Sequence, residues 1–252
     1  YILVTNGPHR FKLRPDGTIF NERHDHFSYG PPAIDATHEI FVCGGGPYVV
    51  VVYDFDLNPV WEYDAEGVGG VEWATPITRE GIVYATTSEG YLVALDVVNR
   101  REKWRVKVTK DYVGFEEQPP AIGNNGMIYC VDETGILHAY QDCGTQGVKR
   151  WDLDLGYSSH QSPVVDARGI IFVATDDGRL KAIRDRGDHG EVIWSYSPPG
   201  EAAAPLYTSV AIDTSGTVYF STSWHFCALN GSDTEPPERV NDFSAELDQT
   251  ER

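Results

Sequence analysis

The chain has 252 residues, enough for one sizeable core, and its 38 acidic against 20 basic residues leave a net charge of −18. Such a field repels phosphate backbones and anionic lipid surfaces, so it speaks against nucleic acid and favours cationic partners or metal ions. No apolar run approaches the roughly 18 residues of a membrane span, and four cysteines without a CxxC pair give no disulfide framework.

From the start of the chain, an aromatic residue followed six positions later by Gly recurs as Tyr1/Gly7, Tyr84/Gly90, Tyr129/Gly135 and Phe172/Gly178. Degenerate copies sit at Phe41, with Pro47 in the Gly slot, and at Tyr219, with Trp224 near it. The first copy, near 1–21, reads as strands at 1–5, 10–13 and 18–21, with turns between them. The second, near 32–63, runs through Ala33-Ile34, Ile40-Phe41-Val42 and 49–53 to Trp61. The third, near 75–107, is the cleanest. It runs through Ile82-Val83-Tyr84-Ala85, a Ser88-Glu89-Gly90 turn, Tyr91 to Leu95 and Lys103-Trp104-Arg105-Val106. Copies near 119–153 and 162–196 repeat that grammar and end at Trp151 and Trp194, while the copy near 208–230 lacks both the Trp and a fourth strand. Gly at the turns supplies positive φ at little steric cost.

Short strands at a period of 40–47 residues define the fold class as all-β. The architecture expected is a β-propeller of four-stranded antiparallel blades, with about six repeats visible and the first and last incomplete. Two arrangements stay open. One is a six-bladed ring closed imperfectly, the other a part of a longer propeller; an initial Tyr in place of Met is expected of a processed or excerpted chain. Residues 1–230 form the propeller in this reading, and 231–252 a polar, acidic tail that is disordered or lies as a surface strap. Trp61, Trp104, Trp151 and Trp194 hold one place per repeat, which makes them struts between blades rather than ligand platforms.

The segment Ala94-x-Asp96-x-x-Asn99-Arg100-x-x-x-Trp104 resembles the tryptophan-docking motif of pyrroloquinoline-quinone-type propeller repeats, with Asn and Arg in place of Thr and Gly. The likeness runs from residue 1 to 230. It is similar to repeats of quinoprotein dehydrogenases, of the outer-membrane assembly lipoprotein and of sensor domains, so it implies the fold and leaves the activity open. The dehydrogenases carry an adjacent Cys–Cys pair and a longer, eight-bladed chain; neither is present here, and the quinone is not expected. The resemblance implies an exported protein, periplasmic or extracellular.

In such a repeat the loops between blades share a face with the turns between second and third strands, and that face borders the channel mouth. Candidates to bind a ligand there are His26, Tyr29, Glu72, Trp73, Phe115, Glu116, Tyr157, His160, Tyr207 and Trp224. Aromatic faces stack on sugar rings or peptide side chains, and carboxylates and His exchange hydrogen bonds with hydroxyls; the competing reading has the aromatics plugging the channel. His24 and His26 alternate on one side of an extended segment and are weak metal ligands, so a divalent ion is the one cofactor the residues leave open. There is no nucleophile elbow, phosphate loop or HExxH motif. The expected function is a non-catalytic binding or scaffolding propeller that engages a protein, peptide or glycan at the mouth. The alternative is a carbohydrate-active lyase or glycosidase with its site in the same place.

Overall fold

A computed structural model of the chain describes residues 1–28, 30–45, 48–64, 67–71, 80–110, 113–115, 118–198, 210–222, 226–230 and 238–239. Every element among them is a strand, and all pairings are antiparallel. Blade 1 is the hairpin of β1 (Ile2–Leu13) and β2 (Ile19–Ser28). Blade 2 holds β3 (Ala33–Asp35), β4 (Ile40–Gly45), β5 (Tyr48–Asp54) and β6 (Pro59–Tyr63). Blade 3 shows β7 (Ile82–Thr86), β8 (Tyr91–Asp96) and β9 (Arg101–Lys107), the stretch 72–79 before β7 lying outside the described residues. Blade 4 is β10 (Ala121–Ile122), β11 (Met127–Val131), β12 (Ile136–Asp142) and β13 (Gly147–Asp154). Blade 5 is β14 (Val164–Val165), β15 (Ile170–Thr175), β16 (Arg179–Asp185) and β17 (Gly190–Tyr196). Blade 6 is β18 (Ala211–Ile212), β19 (Val218–Ser221), β20 (Phe226–Asn230) and β21 (Glu238–Arg239). Strand order follows chain order in every sheet, as in a propeller of successive blades.

Strand alternation explains why the blades stack. In β4 and β5, Val42, Val50 and Val52 join Val83, Ala85 and Val93 of blade 3, while Phe41, Cys43, Val51 and Tyr53 join Leu3 on the other side. Successive side chains point to opposite faces, so a strand apolar on both faces is buried between two neighbouring blades. The same division recurs with Ile128 and Cys130 packed toward blade 3, and Tyr129 and Val131 packed toward blade 5.

The Trp side chains lock these contacts. Trp104 of blade 3 donates its Nε1–H to Asp142 Oδ1 of blade 4 at 2.9 Å, and Tyr84 donates its hydroxyl to Asp142 Oδ2 at 2.7 Å. One blade on, Trp151 and Tyr129 make the same pair of bonds to Asp185, at 2.9 and 2.7 Å. The rings lie against glycines: a Cβ on Gly147 would stand 2.6 Å from Trp104, and one on Gly190 would stand 2.7 Å from Trp151. Each buried Trp removes 150–250 Å² from water, about 4–6 kcal/mol of gross hydrophobic stabilisation. Trp61 and Trp194 pack against the clusters between blades 2 and 3 and between blades 5 and 6.

Two sequence expectations change. Ile2–Leu13 form one long strand, not two strands joined by a turn at Gly7; Gly7, at φ 55°, sits beside a register shift in the β1–β2 pairing. A positive-φ glycine serves a bulge as well as a turn, and the bulge won. The expectation that blade 6 lacks a fourth strand also fails. Glu238 pairs with Asn230 and Arg239 with Leu229, which brings part of the expected tail into the sheet.

Candidate functional site

Antiparallel four-stranded blades put the turns between second and third strands at the end where the chain passes to the next blade. Hydrogen bonds fix that face. Ser88 N donates to Gly70 O, Glu133 N to Gly114 O and Asp176 N to Ser158 O, so each turn is tied to the loop entering its blade. Gly90, Gly135 and Gly178 turn these hairpins with φ of 73°, 85° and 77°. Beneath the loops runs a buried polar chain: Thr86 Oγ1 to Gln118 O at 2.7 Å, Gln118 Nε2 to Ser159 O at 2.8 Å, and Ser159 Oγ to Ala174 O at 2.8 Å. It links blades 3, 4 and 5 through groups that would otherwise be unsatisfied.

Of the candidate ligand residues, Tyr29, Glu72, Trp73, Glu116, Tyr207 and Trp224 lie outside the described residues, as does the His26 side chain. Residue 26 itself belongs to β2, so His24-Asp25-His26 is strand and not a loop between blades. Tyr157 and His160 share the loop between blades 4 and 5, exposed at 54% for the tyrosine and 47% for the histidine side chain. His160 Nδ1 lies 2.9 Å from Asp176 Oδ2, and Ser158 Oγ donates to the same oxygen at 2.5 Å. The carboxylate favours a proton on Nδ1, which leaves Nε2 as an acceptor for an incoming donor. Phe115 differs: it is 3% exposed and packs with Tyr84, Val108 and Ile128. It is a packing residue of the core between blades 3 and 4.

A cluster that the sequence did not flag lies under Phe115, whose ring meets His138 edge-on at 6.5 Å. His138 is 4% exposed, with Nδ1 2.8 Å from Asp152 Oδ1 and Nε2 3.1 Å from Asp132 Oδ2. Burial pushes the Asp132 carboxyl up, but His138, Thr134 and the Ile136 amide outweigh it and hold the carboxyl below its ordinary range. The cluster fixes the 132–135 turn, and through Phe115 the loop in front of it. Only the register, which opposes His138 to Asp152, reveals it.

The opposite face carries two grooves between blades. One, of about 980 Å³, is lined by Ile82, Tyr84, Lys103, Ile122 and Asp142. The other, of about 330 Å³, is lined by Tyr129, Val165, Arg168, Arg184 and Asp185. Both open beside the Trp–Asp junctions, where residues far apart in sequence meet, so periodicity alone does not disclose them. Among the described residues no three His, Cys, Asp or Glu groups form a ready-made metal centre. The described thiols are in no disulfide: Cys43, Cys130 and Cys227 are buried, and Cys143 is exposed.

The family model described as outer membrane protein assembly factor BamB matches residues 13–122 and 114–235, most of the chain. The chain belongs to this family. The crystal structure of BamB from Moraxella catarrhalis superposes with a TM-score of 0.66 at 17% identity, covering 87% of this chain and 62% of that one. At that identity the superposition shows the BamB-like propeller fold, and the chain spans less than two thirds of its relative's length. No curated protein sequence matches this one. No helix among the described residues is long and apolar enough to cross a membrane.

Proposed function

We propose that this chain is a protein-binding scaffold that serves outer-membrane protein assembly from the periplasm, and that a protein partner docks on the face of the loops between blades. Family membership over residues 13–235 is the observation that carries the reading. The loop face supports it locally. Tyr157 offers an exposed ring, His160 an acceptor nitrogen, and both stand on a loop tied to blade 5 through Ser158 and Asp176. A rigid aromatic beside a polar group is the composition of an interface anchor. With a net charge of −18, the partner surface is cationic and association weakens with salt.

A photo-reactive amino acid at position 157, with a control at Asn124 on the opposite face, tests the docking face. The expected result is an adduct to a component of the outer-membrane assembly machinery from 157 and none from 124. Adducts only from 124 would move the interface to the grooves. Thermal stabilisation by glycans that Tyr157→Ala abolishes would replace the protein reading with a carbohydrate one. Loss of an anchor costs about 1–4 kcal/mol of binding, so Tyr157→Ala weakens the partner roughly fivefold or more.

A further inference from the structure

We propose that the outer face of the blade 1 hairpin binds a divalent transition-metal ion of the zinc class through His9, His24 and Glu22. The irregularity between Gly7 and His9, where residues 25–27 of β2 stand against Pro8 alone, sets the register, and that register places His9 directly opposite His24, with Phe11 opposite Glu22. His9, Phe11, Glu22 and His24 therefore share one face of the hairpin. The two imidazoles are 4.5 Å apart between ring centroids, at an interplanar angle of 76°. Among the described residues His9 Nδ1 is shut off from water without a hydrogen-bond partner, and the Glu22 carboxylate oxygen Oε1 lies 3.6 Å away.

That separation is too long for a hydrogen bond. It is close to the spacing of two ligands on one ion: Zn–N and Zn–O bonds of 2.0–2.2 Å at a tetrahedral angle put the donor atoms about 3.4 Å apart. An ion between Nδ1 and Oε1 would thus satisfy an orphaned nitrogen and a half-exposed carboxylate together. The three donors do not yet converge on one point. His24 is exposed, however, and free to change rotamer. Directly opposed strand residues have Cβ atoms about 4.5–5.5 Å apart, within reach of a shared ion. Imidazole and carboxylate suit Zn(II), Cu(II) or Ni(II) better than Mg(II) or Ca(II), which prefer all-oxygen shells. Water reaches the ion from the exposed side, where Glu22 and His24 stand, and completes the coordination, and the acidic chain as a whole draws cations toward it.

Titration calorimetry of the metal-stripped protein with ZnCl₂ and NiCl₂, and with MgCl₂ and CaCl₂ as controls, tests the site. One saturable Zn(II) site is expected, reversed by EDTA and absent with Mg(II) or Ca(II). Outer-sphere groups alone alter metal affinity 10–100-fold, so His9→Ala and His24→Ala should each weaken binding at least about tenfold, and Glu22→Gln by less. These side chains are at least partly exposed, so the metal-free variants should melt with the parent, which separates loss of ligand from loss of fold. Zinc affinity unchanged in His9→Ala/His24→Ala would overturn the proposal. So would binding that survives His9→Ala but is lost in His26→Ala, because the site would then run along β2 instead of across the hairpin.

Discussion

The junction between blades 1 and 2 and the junctions along blades 3, 4 and 5 solve the same problem with different chemistry. At the later junctions a carboxylate receives the Trp indole and the Tyr hydroxyl of the preceding blade, joined at Asp142 by the Lys103 ammonium, and a glycine makes room for the ring. At the first junction a charge is buried instead. Arg10 is 0% exposed, its Nε lies 3.7 Å from Asp25 Oδ1, and Nε and Nη2 have no hydrogen-bond partner among the described residues. Tyr53 donates to Asp25 at 3.0 Å, Arg23 binds the other oxygen, and burial pushes the nearby Cys43 thiol up to about 12. Neutral donors on one anion are cheap to desolvate, whereas a buried guanidinium is costly unless fully paired. The repeated junction is the stable solution, and the first is the strained one.

Four experiments press on that difference, the largest effect first. Asp25→Ala strips Arg10 of its counter-charge and should cost about 3–5 kcal/mol in urea unfolding. The pair Arg10→Met with Asp25→Asn, which keeps an acceptor for Tyr53, should recover most of that loss; failure to recover would mean that the ion pair is worth more than its desolvation. Asp142→Ala orphans the buried Trp104 and Tyr84 donors at about 1–2 kcal/mol each, while the partly exposed Lys103 can turn to water, so about 2–4 kcal/mol in total is expected. Gly147→Ala forces a methyl against Trp104 and should cost about 1–3 kcal/mol, with a shift in Trp fluorescence that Gly147→Ala shares with Gly190→Ala.

The smallest effect is on pH dependence. Burial raises the Asp142 carboxyl, but Lys103, Tyr84 and Trp104 outweigh it and hold it below its ordinary range. A depressed carboxyl adds stability that is complete above the unfolded value, about 3.9, and lost as pH falls through the folded one. Tyr84 and Tyr129 behave oppositely: burial, then the hydrogen bonds to Asp142 and Asp185, hold both phenols above their ordinary value. Their contribution is complete below the unfolded value of about 10 and disappears as pH rises through the folded one. A melting curve flat between about pH 5 and 9 is expected, falling on both sides. Asp142→Asn should flatten the acid limb by about 2–4 °C; no change in that limb would remove Asp142 from the acid sensitivity.

The repeat was legible because its marks are local. Aromatic, turn glycine and Trp fall at fixed spacing, and the covering of both strand faces follows from uninterrupted runs such as 50–53. What the spacing hid depended on register. Gly7 followed by Pro8 suits a turn or a bulge equally, and reading it as a turn put His9 in a loop, away from His24. His138 sits in Ile136-Leu137-His138-Ala139, which reads as an apolar strand until Asp152 is found opposite it. Phe115 looked like a loop aromatic available to a ligand, yet the Thr87 carbonyl accepts its backbone N–H and its ring turns into the core. Aromatic character marks a residue as valuable without saying which side of the loop it serves. The mouth as a whole was less legible still, because its residues arrive from several blades and only their relative placement gives them meaning.

The Trp–Asp knots have a direction. Blades 3 and 4 each hand an indole and a phenol donor forward to a carboxylate of the next blade, so Asp142 serves blade 3 and Asp185 serves blade 4. Clockwise and anticlockwise are therefore inequivalent around the axis. Loosening blade 3 strips Asp142 of blade 4 of its Trp104, Tyr84 and Lys103 donors, whereas loosening blade 4 leaves blade 3 with those donors stranded. A part-buried carboxylate without its donors costs more than stranded neutral donors, so disorder should travel forward along the chain more readily than backward, a bias that amide exchange resolved blade by blade would display as a gradient.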